Sequence, residues 1–177
     1  DLAFEHYIYA DGKQLRCGYT TGTCAALAAS GAVQKLLTGV WPETVSLRTP
    51  KGLTVEVPLE HCRMQGDTAQ CSVRKDGGDD VDKTTGALIQ ANVSLSDTPG
   101  IRIRGGQGVG RVTKPGLDQP VGEAAINRVP RQMIREAVEA ACRTADYDGG
   151  AEVTISVPEG EAIAQKTFNP QMGIVGG

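Results

Sequence analysis

Apolar and polar positions alternate along most of this chain, and in two stretches the period lengthens to that of a helix. From Thr21 onward Ala25, Ala29, Ala32, Val33, Leu36 and Leu37 recur at helical spacing. Thr20 or Thr21 is placed to cap the start of this helix, and Gly39 lies past its end. A second helix reads from Pro130, a residue suited to a first turn. Its apolar stripe is Met133, Ile134, Ala137, Val138, Ala141, Cys142 and Ala145, opposite Arg135, Glu136, Glu139 and Arg143, and Asp148-Gly149-Gly150 is expected to end it. The period-two runs Val45/Leu47/Thr49 and Leu53/Val55/Val57 flank Pro50-Lys51-Gly52 and predict a hairpin. Further strands are expected at Cys71/Val73, over 87–95, at Ile101/Ile103 with Arg102 and Arg104 on the opposite face, and at Val153/Ile155/Val157. Residues 1–16 read as an arm or first strand, and 168–177 as the beginning of another. Two amphipathic helices against about six one-sided strands predict an α+β fold, a two-layer sandwich of a mostly antiparallel or mixed sheet with two main helices.

Composition narrows the function classes. The 177 residues carry 18 Lys+Arg against 21 Asp+Glu, a net charge of −3, which leaves no basic surplus for a nucleic-acid backbone. No apolar run is long enough to span a membrane and no signal-like stretch opens the chain, so a cytoplasmic location without a membrane partner is expected. The five cysteines are odd in number and form no C-x-x-C, and only His6 and His61 could join them, so neither a disulfide scaffold nor a metal site is expected. Glycine, at 23 residues, is near twice its usual share of about 7% and points to loops that approach something closely.

Four segments concentrate residues with chemistry. G-Y-T-T-G-T-C-A-A (residues 18–26) places Thr20, Thr21 and Thr23 at a helix start, where hydroxyls and unpaired N–H groups suit an anion. K-D-G-G-D-D-V-D (75–82) crowds carboxylates, with Asp76, Asp79 and Asp80 as candidates for proton transfer; its spacing is not that of an EF-hand, and a solvated turn is the plain alternative. G-G-Q-G-V-G-R-V-T-K-P-G-L (105–117) has glycines that could form an anion-holding concavity beside Arg102, Arg104, Arg111 and Lys114. It is neither a P-loop nor a dinucleotide fingerprint, and a flexible hairpin or bulge explains it equally well. A-I-N-R-V-P-R-Q-M-I (125–134) puts Asn127, Arg128 and Arg131 at a helix start, where positive charge opposes the dipole.

These strings, taken in order with T-F-N-P-Q-M-G-I-V-G-G (167–177), resemble the cobalt-precorrin-5B (C1)-methyltransferase family, the CbiD type of the anaerobic cobalamin pathway. Val81, Ala124 and Arg128 stand where the family often has proline. The resemblance implies methyl transfer from S-adenosylmethionine to C1 of a polycarboxylated cobalt-tetrapyrrole. On this reading Thr20, Thr21, Thr23, Arg104, Arg111, Lys114, Asn127 and Arg131 would grip the substrate. It also implies an N-terminal α+β domain over residues 1–166 and, at 167–177, the start of a second, Rossmann-like domain. The cofactor would sit mostly beyond residue 177, with Gly176 and Gly177 opening its turn. A chain of this extent is expected to fold, to hold tetrapyrrole weakly, and not to turn over. A stand-alone, non-catalytic anion- or tetrapyrrole-binding module is the competing expectation. The oligomeric state stays open.

Overall fold

The computed structural model describes residues 20–75 and 86–158 with their side chains, and the backbone of strands at 6–10, 13–17 and 174–175. Its centre is a mixed five-stranded sheet in the order β5-β6-β7-β10-β8, formed by β5 (Glu60–Gln65), β6 (Thr68–Arg74), β7 (Leu88–Ser96), β10 (Gly150–Ser156) and β8 (Ile101–Gly105). Only β10 and β8 run parallel; their connection carries helix α2 (Arg128–Thr144). Helix α1 (Thr21–Thr38) packs on β6 and β7, and α2 packs beside it. The hairpin β3 (Thr44–Arg48) and β4 (Thr54–Pro58) adds to this layer, β3 lying on α1. Separate two-stranded pairings join β1 (His6–Ala10) to β2 (Lys13–Cys17), and β9 (Arg111–Val112) to β11 (Ile174–Val175). The expected two-layer α+β sandwich with two main helices is the fold observed, with eleven strands among the described residues rather than about six.

Local chemistry explains how closely the layers approach. All thirteen residues from Thr21 to Val33 are buried, so α1 is enclosed on every side rather than half-wetted. Small residues permit this: Ala25, Ala26, Ala28, Ala29 and Ala32 are fully buried, and Leu27 is the only large side chain among them apart from Val33. A Cβ at Gly22 would come within 3.0 Å of Pro130, which fixes how near α1 and α2 begin. The sheet presents Ala69, Cys71, Val73, Ile89, Ala91, Val93, Val153 and Ile155 to this layer. Its other face is polar, and the register lines up Arg63, Gln70, Asn92, Thr154 and Arg104 across all five strands.

Helix α2 differs from expectation at both ends. It begins at Arg128, so Pro130 sits in the third helical position, where a missing N–H still costs nothing because the first turn has no intrahelical acceptor. It ends at Thr144 rather than at Asp148-Gly149-Gly150. Asp146 takes φ 53°, the Asp146 N–H donates to Arg143 O and the Tyr147 N–H to Cys142 O, which is a Schellman closure built on aspartate. Gly150 instead opens β10, where the Thr98 and Gly100 carbonyls lie too close for any side chain.

Candidate functional site

The start of α1 is organised by its threonines. Thr20 is the N-cap: its Oγ1 accepts the Thr23 N–H at 3.1 Å and lies 3.0 Å from Thr23 Oγ1, while its carbonyl accepts the Cys24 N–H at 3.1 Å. Thr20 and Thr23 are therefore engaged with each other. Thr21, between them, is 1% exposed, and its Oγ1 has no hydrogen-bond partner. The N–H groups of Thr21 and Gly22 lie ahead of any intrahelical acceptor.

The start of α2 is capped from outside the helix. Asn127 is its N-cap without a side-chain capping bond, and Asp118, ten residues upstream, accepts the Arg128 N–H at 2.5 Å. Gln119 Nε2 donates to the same Asp118 oxygen at 3.1 Å. The Gln119 bond, then the Arg128 N–H and the charges of Arg128 and Arg131, hold the Asp118 carboxyl below the usual carboxylate range. Arg131 is half-buried, and its guanidinium donates to Ile126 O at 2.6 Å and Ala124 O at 2.9 Å. It clamps the chain that leads into α2.

Because Gly22 meets Pro130, the Thr20–Thr23 cluster and the Asn127–Arg131 cluster form one locality. Arg111 reaches it through Ala124, with which it forms an isolated bridge, although its exposed guanidinium donates to Gly122 O at 3.2 Å. Lys114 is exposed on the loop between β9 and α2. Arg104 does not join this group: it lies on the polar face of the sheet, paired with Glu152 at 3.2 Å. Asp76, Asp79 and Asp80, and likewise Gly176 and Gly177, lie outside the described residues.

The glycine segment is packed rather than open. The Gly106 N–H donates to Ile155 O at 2.8 Å, the Val109 N–H to Gly106 O at 3.2 Å, and the Val157 N–H to Gln107 O at 2.7 Å. Its N–H groups thus serve the protein's own carbonyls, and the expected anion concavity does not form at Gly106 and Val109. Gly108 takes φ 77°, and a Cβ there would fall on the Val157 carbonyl. Glycine is needed at this position for contact with the chain itself.

Two features have little local signature in the sequence. Asp118 sits between Gly116 and Pro120 in what reads as an ordinary turn, and nothing local signals that it caps a helix. The polar row across the sheet is hydrogen-bonded, with Arg63 Nε donating to Gln70 Oε1 at 2.8 Å and Gln70 Nε2 to Asn92 Oδ1 at 2.7 Å; its polar alternation was visible, its pairing was not. Among the described residues no group of three or more His, Cys, Asp or Glu could hold a metal ion. No described helix is long and apolar enough to cross a membrane.

Comparison with known proteins agrees with these motifs. The CbiD family matches residues 8–177. The chain is 55% identical over 165 residues to a cobalt-precorrin-5B C(1)-methyltransferase of Geobacillus kaustophilus, covering 93% of this chain and 44% of that protein. It is 48% identical to the protein of the same name from Ruminiclostridium cellulolyticum, over 98% of this chain and 45% of that one. The crystal structure of a cobalamin biosynthesis protein (cbiD) from Archaeoglobus fulgidus is similar, with a TM-score of 0.68 and 37% identity over 97% of this chain and 54% of that chain. The chain therefore spans less than half the length of these curated relatives. With a match across nearly all of its residues, the chain belongs to the CbiD family.

Proposed function

We propose that this chain is the substrate-gripping part of a cytoplasmic, S-adenosylmethionine-dependent methyltransferase acting at C1 of cobalt-precorrin-5B. The observation that carries this reading is the locality where both helices begin. Two positive helix ends meet there, neither first turn contains an acidic residue, and Arg128 and Arg131 add charge that helix stability would not favour. A macrocycle fringed with carboxylates is the complementary partner. The names of the relatives, cobalt-precorrin-5B C(1)-methyltransferase, support the choice of macrocycle and reaction.

Within this reading Asn127, Arg111 and Lys114 orient the substrate's carboxylate arms, and Thr21 is buried behind them in the first turn of α1. Thr20, Thr23 and Arg131 hold the two helix starts in place, and Arg104 serves a separate part of the surface. When bound, S-adenosylmethionine supplies an electrophilic methyl group, and transfer then depends mainly on alignment in a water-poor site. We propose that its seat lies mostly beyond residue 177, with Gly176 and Gly177 opening its turn, a reading supported by the length of the relatives named for this reaction, of which this chain covers 44% and 45%. The carboxylates Asp76, Asp79 and Asp80 remain the candidates for proton movement.

Titration with cobalt-precorrin-5B and S-adenosylmethionine tests this, using the 177-residue chain and a full-length family member side by side. The expected result is tetrapyrrole binding by both, and C1 methylation and S-adenosylmethionine binding by the long form alone. Methylation by the 177 residues alone, or no tetrapyrrole binding by either protein, overturns it.

A further inference from the structure

We infer that the free edge of β8, with the pocket beside it, is a docking site for a separate protein that adds an extended, acidic strand to the sheet. This goes beyond the function proposed above and uses none of the residues assigned there to the substrate.

β8 closes one end of the strand order β5-β6-β7-β10-β8, with β10 as its neighbour. The Ala151 N–H donates to Gly100 O at 3.1 Å, and the Gly106 N–H donates to Ile155 O at 2.8 Å. In a parallel ladder both backbone groups of a residue turn to one side, and successive residues alternate. Gly100, Arg102, Arg104 and Gly106 therefore face β10, and the N–H and C=O groups of Ile101, Ile103 and Gly105 face outward. Among the described residues nothing pairs with these outward groups. The opposite edge of the sheet is defended differently. β5 is broken by a bulge between Glu60 and Arg63, with His61 at φ 52°, and such a kink resists strand addition. The register of β8 runs without a shift from Ile101 to Gly105.

A pocket of 270 Å³ lies against this edge, beside the C-terminal half of α2. Its wall combines Ile101, Cys142 and Tyr147, which are buried or half-buried, with the exposed side chains of Arg135, Glu139 and Arg143. Side chains of a strand alternate between the two faces of a sheet. Every second side chain of an added strand would thus fall on the helix side, where Ile101 still has apolar surface to cover. Backbone pairing along an open edge, with a pocket for alternate side chains, is the geometry of strand addition.

Charge identifies the kind of strand. Arg102 and Arg104 lie on the polar face of β8; Glu152 is taken by Arg104 at 3.2 Å, and Arg102 donates to Thr98 O at 3.3 Å without a carboxylate partner among the described residues. Edge and pocket together carry Arg102, Arg104, Arg135 and Arg143 against Glu139 and Glu152, while Asp97 and Asp148 lie at the strand's start. This surplus discourages pairing with basic or neutral strands and favours an acidic one. It also argues for a separate protein as the source. Permanent interfaces are mostly apolar, whereas Arg104, Arg135 and Arg143 are exposed charges of the kind found where partners come and go.

The test uses the 177-residue chain and the peptide acetyl-Glu-Val-Glu-Val-Glu-Val-Glu-amide, whose valines share one face and glutamates the other. Amide hydrogen exchange is the readout. In the free chain the amides of Arg102 and Arg104 are expected to be protected and those of Ile101 and Ile103 open. Saturating peptide is expected to slow Ile101 and Ile103 about tenfold or more. N-methylation of one alternate set of peptide amides should abolish this protection, and methylation of the other set should spare it. Arg102→Gln combined with Arg135→Gln should weaken the peptide about threefold or more and leave the free chain's exchange pattern as it was. Ile101→Pro, which removes an outward N–H and no bond to β10, should abolish protection of Ile103 while Arg104 stays protected. Equal binding by both N-methylated peptides, equal binding by a peptide with lysine in place of glutamate, or no slowing of Ile101 and Ile103 by any peptide overturns the proposal. Protection of these amides without peptide overturns it too. In this chain, rising with concentration, it would mean that a second copy holds the edge; at the aligned positions of a full-length family member, that the rest of that chain does.

Discussion

Replacing Gly108 with alanine separates a glycine required for packing from one required only for a turn. Gly108 lies at φ 77°, and an alanine in this left-handed region costs about 1–2 kcal/mol from backbone sterics alone. The new methyl would also fall on the carbonyl of Val157 and 3.2 Å from that residue's Cβ. Val157 is fully buried and donates its N–H to Gln107 O at 2.7 Å, so it cannot swing aside as an exposed side chain would. Forcing it away adds about 1–3 kcal/mol of overpacking strain and weakens one hydrogen bond worth about 1 kcal/mol. The expected loss is thus about 3–6 kcal/mol in all. Gly116 is the control: it has φ 89° with nothing within 4 Å of an added Cβ, so its alanine variant should lose only the backbone cost. Urea unfolding followed by circular dichroism reads the difference. With a slope of about 2 kcal/mol per molar, the Gly108→Ala midpoint should fall about 1 M or more below that of Gly116→Ala. Equal midpoints for the two variants would refute the account of 105–110 as a packed knot and return it to an open loop.

Further outcomes follow from the ionisable groups. Asp118 has a folded-state pKa below its unfolded value of about 3.9, so its stabilising effect is present above that value and is lost as pH falls through the folded pKa. The stability gap between wild type and Asp118→Asn should therefore be open at pH 7, narrow below about pH 4, and shrink in 1 M salt; a gap unchanged down to pH 2.5 contradicts this. Burial pushes the Cys71 thiol up to about 12, with Cys62 adding to the shift, and Cys24 is fully buried. Iodoacetamide on the native chain at pH 8 should modify Cys62 while Cys24 and Cys71 stay unmodified until urea is added. Mass mapping that finds Cys71 labelled as fast as Cys62 would contradict the packing of β6 under α1.

Legibility in the sequence followed the presence of one-sided burial. Helix α1 was readable because Thr20, the alanines and Gly39 each report a local rule, and the structure places the N-cap at Thr20 and the C-cap at Gly39. The β3–β4 hairpin was readable for the same reason, with Val55 and Val57 buried and Thr54, Glu56 and Pro58 exposed. Strand β5 was not, because Glu60–Gln65 is an edge strand with no buried position and so shows no apolar alternation. The end of α2 is not legible because glycine is the usual left-handed cap, whereas here Asp146 adopts it and Gly149 and Gly150 serve a crowded strand start.

Motifs in the candidate site were legible as strings, but their division of labour was not, since that depends on which donors find partners in three dimensions. Thr20, Thr21 and Thr23 are equivalent as letters, yet two are bonded to each other and the third is buried without a partner. Arg131 and Arg128 both read as cations opposing a helix dipole, yet only Arg131 has carbonyls to satisfy it. In the glycine segment the N–H groups of Gly106 and Val109, which glycine freedom suggested could line an anion-holding concavity, close on Ile155 O and Gly106 O. A donor already paired within the fold can hold a ligand only by breaking that pair, and at the α2 start the Arg128 N–H already has its acceptor in Asp118.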